Sequence, residues 1–146
     1  MKTIFEDQSR QDLLARIMKL DQQSQPKWGK MNVYQMIKHC SLWEEMVLSK
    51  RQFKRTFLGR IFGKVALKDI LKDKPMKRNV PTVPGFKIQG DGDITVEQRL
   101  WIDLIEEHAR SHHVTYPHSF FGNMTREESG RLAHKHIDHH LRQFNV

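Results

Sequence analysis

The stretch Arg131–Phe144, RLAHKHIDHHLRQF, decides the fold, because its apolar residues recur at the spacing of one helix face. It also holds four of the chain's nine histidines. On a helix, His136 and His140 lie one turn apart, on the face that carries Ala133, Ile137, Leu141 and Phe144. An unpaired polar group in an apolar core costs roughly 1–3 kcal/mol, so a buried imidazole must be hydrogen-bonded or coordinated. We therefore predict that this helix presents two histidines to a metal ion, with a third ligand from elsewhere in the chain.

The length and composition indicate one globular domain over residues 1–146. The chain is 38% hydrophobic and 29% charged, and no apolar run approaches the roughly 20 residues that a membrane span needs. Its N-terminal residues turn acidic at once and lack the apolar core of a signal peptide. The single cysteine, Cys40, excludes an intrachain disulfide and a Cys-rich zinc site. We therefore expect a cytoplasmic protein without a transmembrane segment.

Four long helices are predicted from apolar residues at three- and four-residue spacing. They cover residues 4–21, 32–50, 95–112 and 125 onward. Asn32 is a plausible N-cap, and the pairs Thr95–Gln98 and Thr125–Glu128 match the capping-box pattern. No strand pattern appears. Four long helices with one long crossover, residues 51–94 between the second and the third, predict an all-α four-helix bundle.

The crossover contains a basic segment, residues 50–78, with eleven Lys or Arg residues against Asp69 and Asp73. Apolar residues alternate with these charges, and we expect one or two short helices here. The net charge of +8 and this segment permit a polyanionic partner. The stretch Arg55–Leu71 is amphipathic enough for a membrane-surface helix. Its apolar residues would equally cap the open end of the bundle, and nucleic acid is the less expected partner.

A metal site built on His136 and His140 needs further ligands. Neutral imidazole is the commonest side-chain metal ligand, and two histidines four apart on a helix can bind one ion. His39 lies beside the apolar stripe of the second helix and is our third ligand. His108 and His112 form a second pair at the same spacing, and His108 lies on an apolar stripe. Spacing alone leaves His108 as a competing third or fourth ligand.

Other polar residues are weaker candidates. His118 precedes an aromatic pair and is expected either at the mouth of the cavity or in an exposed loop. Arg142 and Gln143 are candidates for orienting a cosubstrate, with Arg142 at the helix C-terminus as the plainer role. Six further residues are not expected to bind the metal. We expect outward-facing side chains at Asp138, His134 and His139. The helix surface is the expected place of Glu44 and Glu45, unless one of them orients an imidazole, and Cys40 is expected to be a packed core residue.

Three motifs together resemble one branch, of unknown function, of the DinB/YfiT-like superfamily. They are Trp28–Cys40 (WGKMNVYQMIKHC), Pro117–Thr125 (PHSFFGNMT) and His136–Gln143 (HIDHHLRQ). Their order matches that of the branch and they span nearly the whole chain. Ser119 stands where the branch usually has proline, which loosens the expected turn.

The resemblance implies a four-helix bundle of up-down-down-up topology with a divalent metal held by three histidines. One comes from the second helix and two, four residues apart, come from the last helix. These positions are His39, His136 and His140. Relatives in the superfamily include thiol-dependent transferases and isomerases that use bacillithiol, mycothiol or glutathione-like cosubstrates.

From the residues and the resemblance together we expect a divalent-metal-dependent enzyme. Zinc or nickel is the expected ion, with a low-molecular-weight thiol as cosubstrate and a small molecule as substrate. The site would activate the thiol for transfer, or a water for hydrolysis. A homodimer through an apolar face is a further expectation. The alternative is a non-catalytic helical module that binds a metal or a polyanionic or membrane surface.

Overall fold

The computed structural model describes residues 2–146, so Met1 of the predicted domain lies outside the described residues. These residues form an all-α structure, which confirms the all-α part of the prediction. Its five α-helices are α1 (Asp7–Ile17), α2 (Val33–Val47), α3 (Phe57–Ile70), α4 (Ile94–Arg110) and α5 (Arg126–Gln143). One 3₁₀ turn, Pro84–Phe86, lies between α3 and α4. Within residues 2–146 there is no β-strand, and a single β-bridge joins Tyr116 to Met124.

Two predicted helix starts are confirmed by reciprocal capping bonds. Asn32 Oδ1 accepts from the Gln35 backbone N–H at 2.8 Å, and Gln35 Oε1 accepts from the Asn32 N–H at 3.1 Å. At α5, Thr125 Oγ1 accepts from the Glu128 N–H at 3.2 Å, and Glu128 Oε2 accepts from the Thr125 N–H at 2.8 Å. These caps satisfy backbone donors that have no partner inside the helix. They place the starts of the two helices that carry His39, His136 and His140.

The predicted start of α4 is wrong by two residues. Asp93, not Thr95, is the N-cap, and its Oδ1 accepts from the Thr95 N–H at 2.8 Å. A carboxylate at the positive end of the helix dipole is a strong cap, so Thr95 falls inside the first turn.

The first helix is shorter than predicted. It covers Asp7–Ile17, whereas Ile4 and Leu20 lie outside it and are nevertheless buried. The Ile4 N–H donates to the Gly130 carbonyl at 3.2 Å, so the segment before α1 runs against α5. Apolar residues at helical spacing therefore mark burial here, and burial does not require that each of them lie in the helix.

The core lies between α1, α2, α4 and α5. Helix α2 packs against α4 and α5, and α1 packs against α5 and α4. The inner faces of α2 and α5 carry the histidines of interest into this core. In the part of the chain that the structure describes, no helix is long and apolar enough to cross a membrane.

The basic crossover contains one helix, α3, of fourteen residues. Gly59 and Gly63 lie against the backbone of Phe120, and a Cβ at either glycine would collide with the Phe120 carbonyl oxygen. This close approach explains why two residues of low helix propensity interrupt the segment. It also determines which face of α3 points inward.

Candidate metal centre

Three histidines from two helices meet in the core between α2 and α5. His39 comes from α2, and His136 and His140 come from α5. One ring nitrogen from each lies within 4.8 Å of the others, and the three side chains are buried. Among residues 2–146, this is the one group of three or more His, Cys, Asp or Glu side chains with a geometry that could hold a metal ion.

The His39 ring is oriented by the 3₁₀ turn. Its Nδ1 lies 3.2 Å from the Phe86 carbonyl oxygen, which can only accept, so Nδ1 carries the proton in the neutral ring. The lone pair is then on Nε2, which lies 3.1 Å from Nε2 of His136. No sequence signal identifies a backbone carbonyl as an orienting group, and Phe86 was therefore missed.

The His140 ring is oriented by Gln143, one turn further along α5. His140 Nδ1 lies 2.9 Å from Gln143 Oε1, and Gln143 Nε2 donates to the Trp28 carbonyl at 2.7 Å. The amide is thus held by Trp28 with its oxygen toward the imidazole, which leaves the His140 lone pair on Nε2. Gly29, at φ +82°, has a backbone conformation that favours glycine, and a Cβ there would lie 2.6 Å from Gln143 Nε2 and displace the amide.

Burial holds all three imidazoles in the neutral form. It lowers the pKa of His140 to about 3, with the nearby His39 adding to the effect. Burial, followed by the proximity of His140 and His39, lowers the pKa of His136 well below its ordinary value. Burial also lowers the pKa of His39, although the bond to the Phe86 carbonyl opposes the shift.

The donor set fits a divalent cation. Neutral imidazole nitrogens are the ligands that zinc and nickel accept, and two of the three rings have their second nitrogen engaged by a protein acceptor. Two lone-pair nitrogens 3.1 Å apart repel each other unless a proton or a cation lies between them. In the metal-free protein the neutral His136 ring supplies that proton as an N–H···N bond to His39, and a divalent cation would displace it on binding.

A cavity of about 750 Å³ reaches the three histidines. Its lining is predominantly apolar and aromatic, and it includes Trp28, Trp43, Val83, Phe86, Phe120 and Phe121. Lys30, Lys77 and Lys87 also contribute to its wall. This combination of apolar walls and a few convergent polar groups is typical of a small-molecule site.

His118 lies in the wall of this cavity. Its Nδ1 accepts from the backbone N–H groups of Phe120 and Phe121, at 3.1 and 3.2 Å. Burial, and then the positive charge of Arg55, lower the pKa of His118 to about 3. The structure therefore places His118 in the cavity wall, where it also holds the turn before α5.

Arg142 lies elsewhere. Its guanidinium is largely exposed and pairs with Asp138 Oδ2 at 2.9 Å, while Asp138 Oδ1 pairs with Arg16 at 2.8 Å. Arg142 does not line the cavity that reaches the histidines. His134 and His139, both expected to face outward, are partly buried. His139 contributes to the cavity wall, so the expectation is wrong for this residue, whereas His134 does not line the cavity.

His108 belongs to a separate buried network. Its Nδ1 lies 2.7 Å from Glu44 Oε2, and its Nε2 lies 2.9 Å from Ser129 Oγ. These contacts engage both ring nitrogens, so His108 is not available as a ligand to the centre. Glu44 is 1% exposed because α4 packs over that side of α2, so a position on the helix surface is wrong. Its other predicted role, a carboxylate that orients an imidazole, is the one that the structure shows, and the imidazole is that of His108.

The remaining predicted residues lie outside the three-histidine group. Glu45 pairs with Arg51 at 3.0 Å. Cys40 is buried as expected, with its thiol 3.9 Å from the Met36 sulfur, and burial raises its pKa well above the ordinary value. His112 is exposed.

A sequence model of the family described as "Protein of unknown function (DUF1569)" matches residues 5–146. The chain belongs to this family. The matched region contains all three clustered histidines as well as Gln143. Neither the curated proteins nor the solved structures contain a significant match to the DUF1569 chain.

Proposed function

We propose that this DUF1569 protein is a divalent-metal-dependent enzyme that acts on a small molecule. One observation carries the proposal: three buried, neutral histidines converge to within 4.8 Å at the wall of a cavity of about 750 Å³. A purely structural metal site usually has four protein ligands and no access, whereas three ligands beside a cavity leave a position for another molecule.

His39, His136 and His140 would hold the ion. Zinc or nickel suits three imidazoles, and when bound it would supply Lewis-acid chemistry that lowers the pKa of a thiol or a water brought to it. A low-molecular-weight thiol is the cosubstrate that we propose for transfer to an electrophile, and water is the corresponding nucleophile for hydrolysis.

The chain's own groups prepare the site. The Phe86 carbonyl and the Gln143 amide hold His39 and His140 with their Nε2 lone pairs toward the centre. The aromatic walls would bind an apolar part of the substrate and exclude bulk water. The lysines of the cavity wall would bind an anionic part of the substrate or cosubstrate.

We also propose that the chain is a single domain of the DinB/YfiT-like superfamily, with an up-down-down-up four-helix bundle. Two features support this placement: α1, α2, α4 and α5 surround a common core, and the three histidines come from the second and the last of these helices.

The decisive experiment is elemental analysis of protein purified without an affinity tag. We expect about one zinc or nickel ion per chain. His136→Ala should lose the metal, and His134→Ala, on the same helix with a partly exposed imidazole, should retain it. If His136→Ala retained the metal, the assignment of His39, His136 and His140 as its ligands would be wrong.

Catalysis is tested separately on the metal-loaded protein. A panel of thiols with an electrophilic acceptor, and a panel of esters and amides, should reveal turnover in one of the two classes. We expect that turnover to disappear in His136→Ala and persist in His134→Ala. A metal-loaded protein without turnover in either panel would contradict the enzyme proposal while leaving the metal centre intact.

A further inference from the structure

Helix α3 carries its large apolar side chains on the outside of the protein. The exposed fractions are 75% for Phe57, 59% for Leu58, 56% for Ile61, 55% for Phe62 and 71% for Val65. At 100° per residue these five side chains share one face along more than two turns of the helix. Soluble proteins rarely expose a contiguous apolar face of this kind unless it binds a partner.

The outward orientation of this face is determined by packing on its opposite side. Gly59 and Gly63 lie directly against the Phe120 backbone, where no side chain would fit. At the start of α3, Thr56 Oγ1 accepts from the Gly59 N–H at 3.0 Å, and the Thr56 N–H donates to the Ser119 carbonyl at 2.9 Å. Rotating α3 to bury its apolar face would break these contacts, so the fold itself keeps this face exposed.

Basic side chains run along one edge of the apolar face. Arg60, Lys64 and Lys68 recur every four residues and are exposed. They belong to the segment 50–78, in which eleven basic residues face only two acidic ones. Of these two, Asp69 pairs with Lys72 and Lys74, at 2.9 and 3.0 Å. The surface around α3 is therefore strongly positive as well as apolar.

We propose that α3 docks on an anionic lipid bilayer, with its apolar face in the interfacial region and its basic edge on the lipid headgroups. An outward apolar face flanked by Lys and Arg is the arrangement that such surface-bound helices use. This inference does not depend on the metal centre.

Charge argues against the two other candidate partners. A second copy of the chain would bring the same segment, with eleven basic residues against two acidic ones, to the other side of the interface, and like charges across an interface are unfavourable. Nucleic acid would complement the basic residues but would leave Phe57, Ile61 and Phe62 in water. An anionic bilayer complements both properties at once.

The test is flotation of the full-length protein with lipid vesicles. The wild-type chain should float with phosphatidylcholine vesicles that contain about 30% phosphatidylserine, and high salt should weaken this binding. It should not float with vesicles of phosphatidylcholine alone. Equal binding to both vesicle types, or binding to neither, would overturn the proposal.

The apolar face is tested with Phe57→Ser/Ile61→Ser/Phe62→Ser. Binding should fall by at least about tenfold, because three large side chains no longer enter the interface. All three are exposed in the free protein, so the circular dichroism spectrum and thermal midpoint should change little. The matched control, Val96→Ser/Val114→Ser, removes apolar residues that are 70% and 94% exposed on other segments and should bind like wild type.

The basic edge is tested with Arg60→Gln/Lys68→Gln, which should weaken binding by about fivefold per charge removed. Lys19→Gln/Arg99→Gln removes two exposed charges from other segments and is the matched control. Three results would overturn the proposal. They are vesicle binding insensitive to the Phe57/Ile61/Phe62 variant, concentration-dependent self-association that the same variant abolishes, and DNA binding as tight as vesicle binding at the same salt.

Discussion

Nε2 of His39 on α2 and Nε2 of His136 on α5 lie 3.1 Å apart in the core of the protein. Because His39 donates its Nδ1 proton to the Phe86 carbonyl, its Nε2 presents a lone pair to the second ring. Two buried nitrogens at this distance need a shared proton or a cation, and His140 adds a third nitrogen within 4.8 Å. This relationship links the packing of α2 on α5 to the chemistry that we propose.

Metal binding should stabilise the folded chain. Adding zinc or nickel to the metal-free protein at 100 times its dissociation constant should add about 2.7 kcal/mol to the free energy of unfolding. Differential scanning calorimetry with and without the ion measures the shift. His136→Ala should show no comparable shift, and an equal shift in that variant would place the ion elsewhere.

The Gln143 amide should tune the affinity of the centre. Gln143→Ala removes the acceptor that holds His140 Nδ1 and frees the ring to rotate, so metal affinity should fall about 10–100-fold. Isothermal titration calorimetry measures this change. Arg142→Ala, the neighbouring residue with a largely exposed side chain, should leave the affinity unchanged. Equal affinities in wild type and Gln143→Ala would show that the amide does not orient the ligand.

His118 should make stability fall with acid. Its pKa is about 3 in the folded protein against 6.5 for the free side chain, so between these values only the unfolded chain is protonated. The free energy of unfolding should therefore fall as pH drops from 6.5 toward 3, by up to about 1.4 kcal/mol per pH unit from this residue. Above pH 6.5 both states are neutral and the contribution is constant.

The pH dependence is measured by urea unfolding of the metal-free protein. His118→Asn keeps an oxygen near the position of Nδ1 to accept from the Phe120 and Phe121 N–H groups, but it does not titrate. Its stability should fall less steeply between pH 6.5 and 3 than that of wild type. The core histidines are present in both proteins, so parallel curves would rule out the assigned role.

The Glu44–His108 pair should stabilise the fold without affecting the metal. His108→Phe leaves the Glu44 carboxyl group and the Ser129 hydroxyl without their partner in the core, which should cost about 1–3 kcal/mol for each unsatisfied group. Adding Glu44→Leu removes the unsatisfied carboxyl group and should restore part of that loss. Denaturant unfolding measures both effects. Metal content should stay at the wild-type level, and its loss would connect this network to the centre.

Local signals in the sequence account for much of the fold. Apolar periodicity predicted α2, α4 and α5 to within a few residues, because each helix has one wide buried face. Asn32 and Thr125 were identified as caps because their partners lie three residues away in the chain. The predicted start of α4 is wrong because Asp93 and Thr95 are both residues that commonly cap a helix. The charged side chain of Asp93 is favoured over the hydroxyl of Thr95. The ends of α1 were overextended because Ile4 and Leu20 are buried outside the helix.

The sequence by itself determined that the protein is all-α and that His136 and His140 face inward, since both follow from residue spacing along one helix. Spacing also made His39 a candidate third ligand but left His108 as a competitor, and only the tertiary structure decided which groups meet the pair. His39 lies 97 positions from its neighbour His136, and the Phe86 carbonyl has no sequence signal at all. The tertiary structure also decided that His108 contacts Glu44 and that the apolar face of α3 points outward. Helical phase is a local property, whereas the partner of a buried or exposed face depends on how distant segments pack.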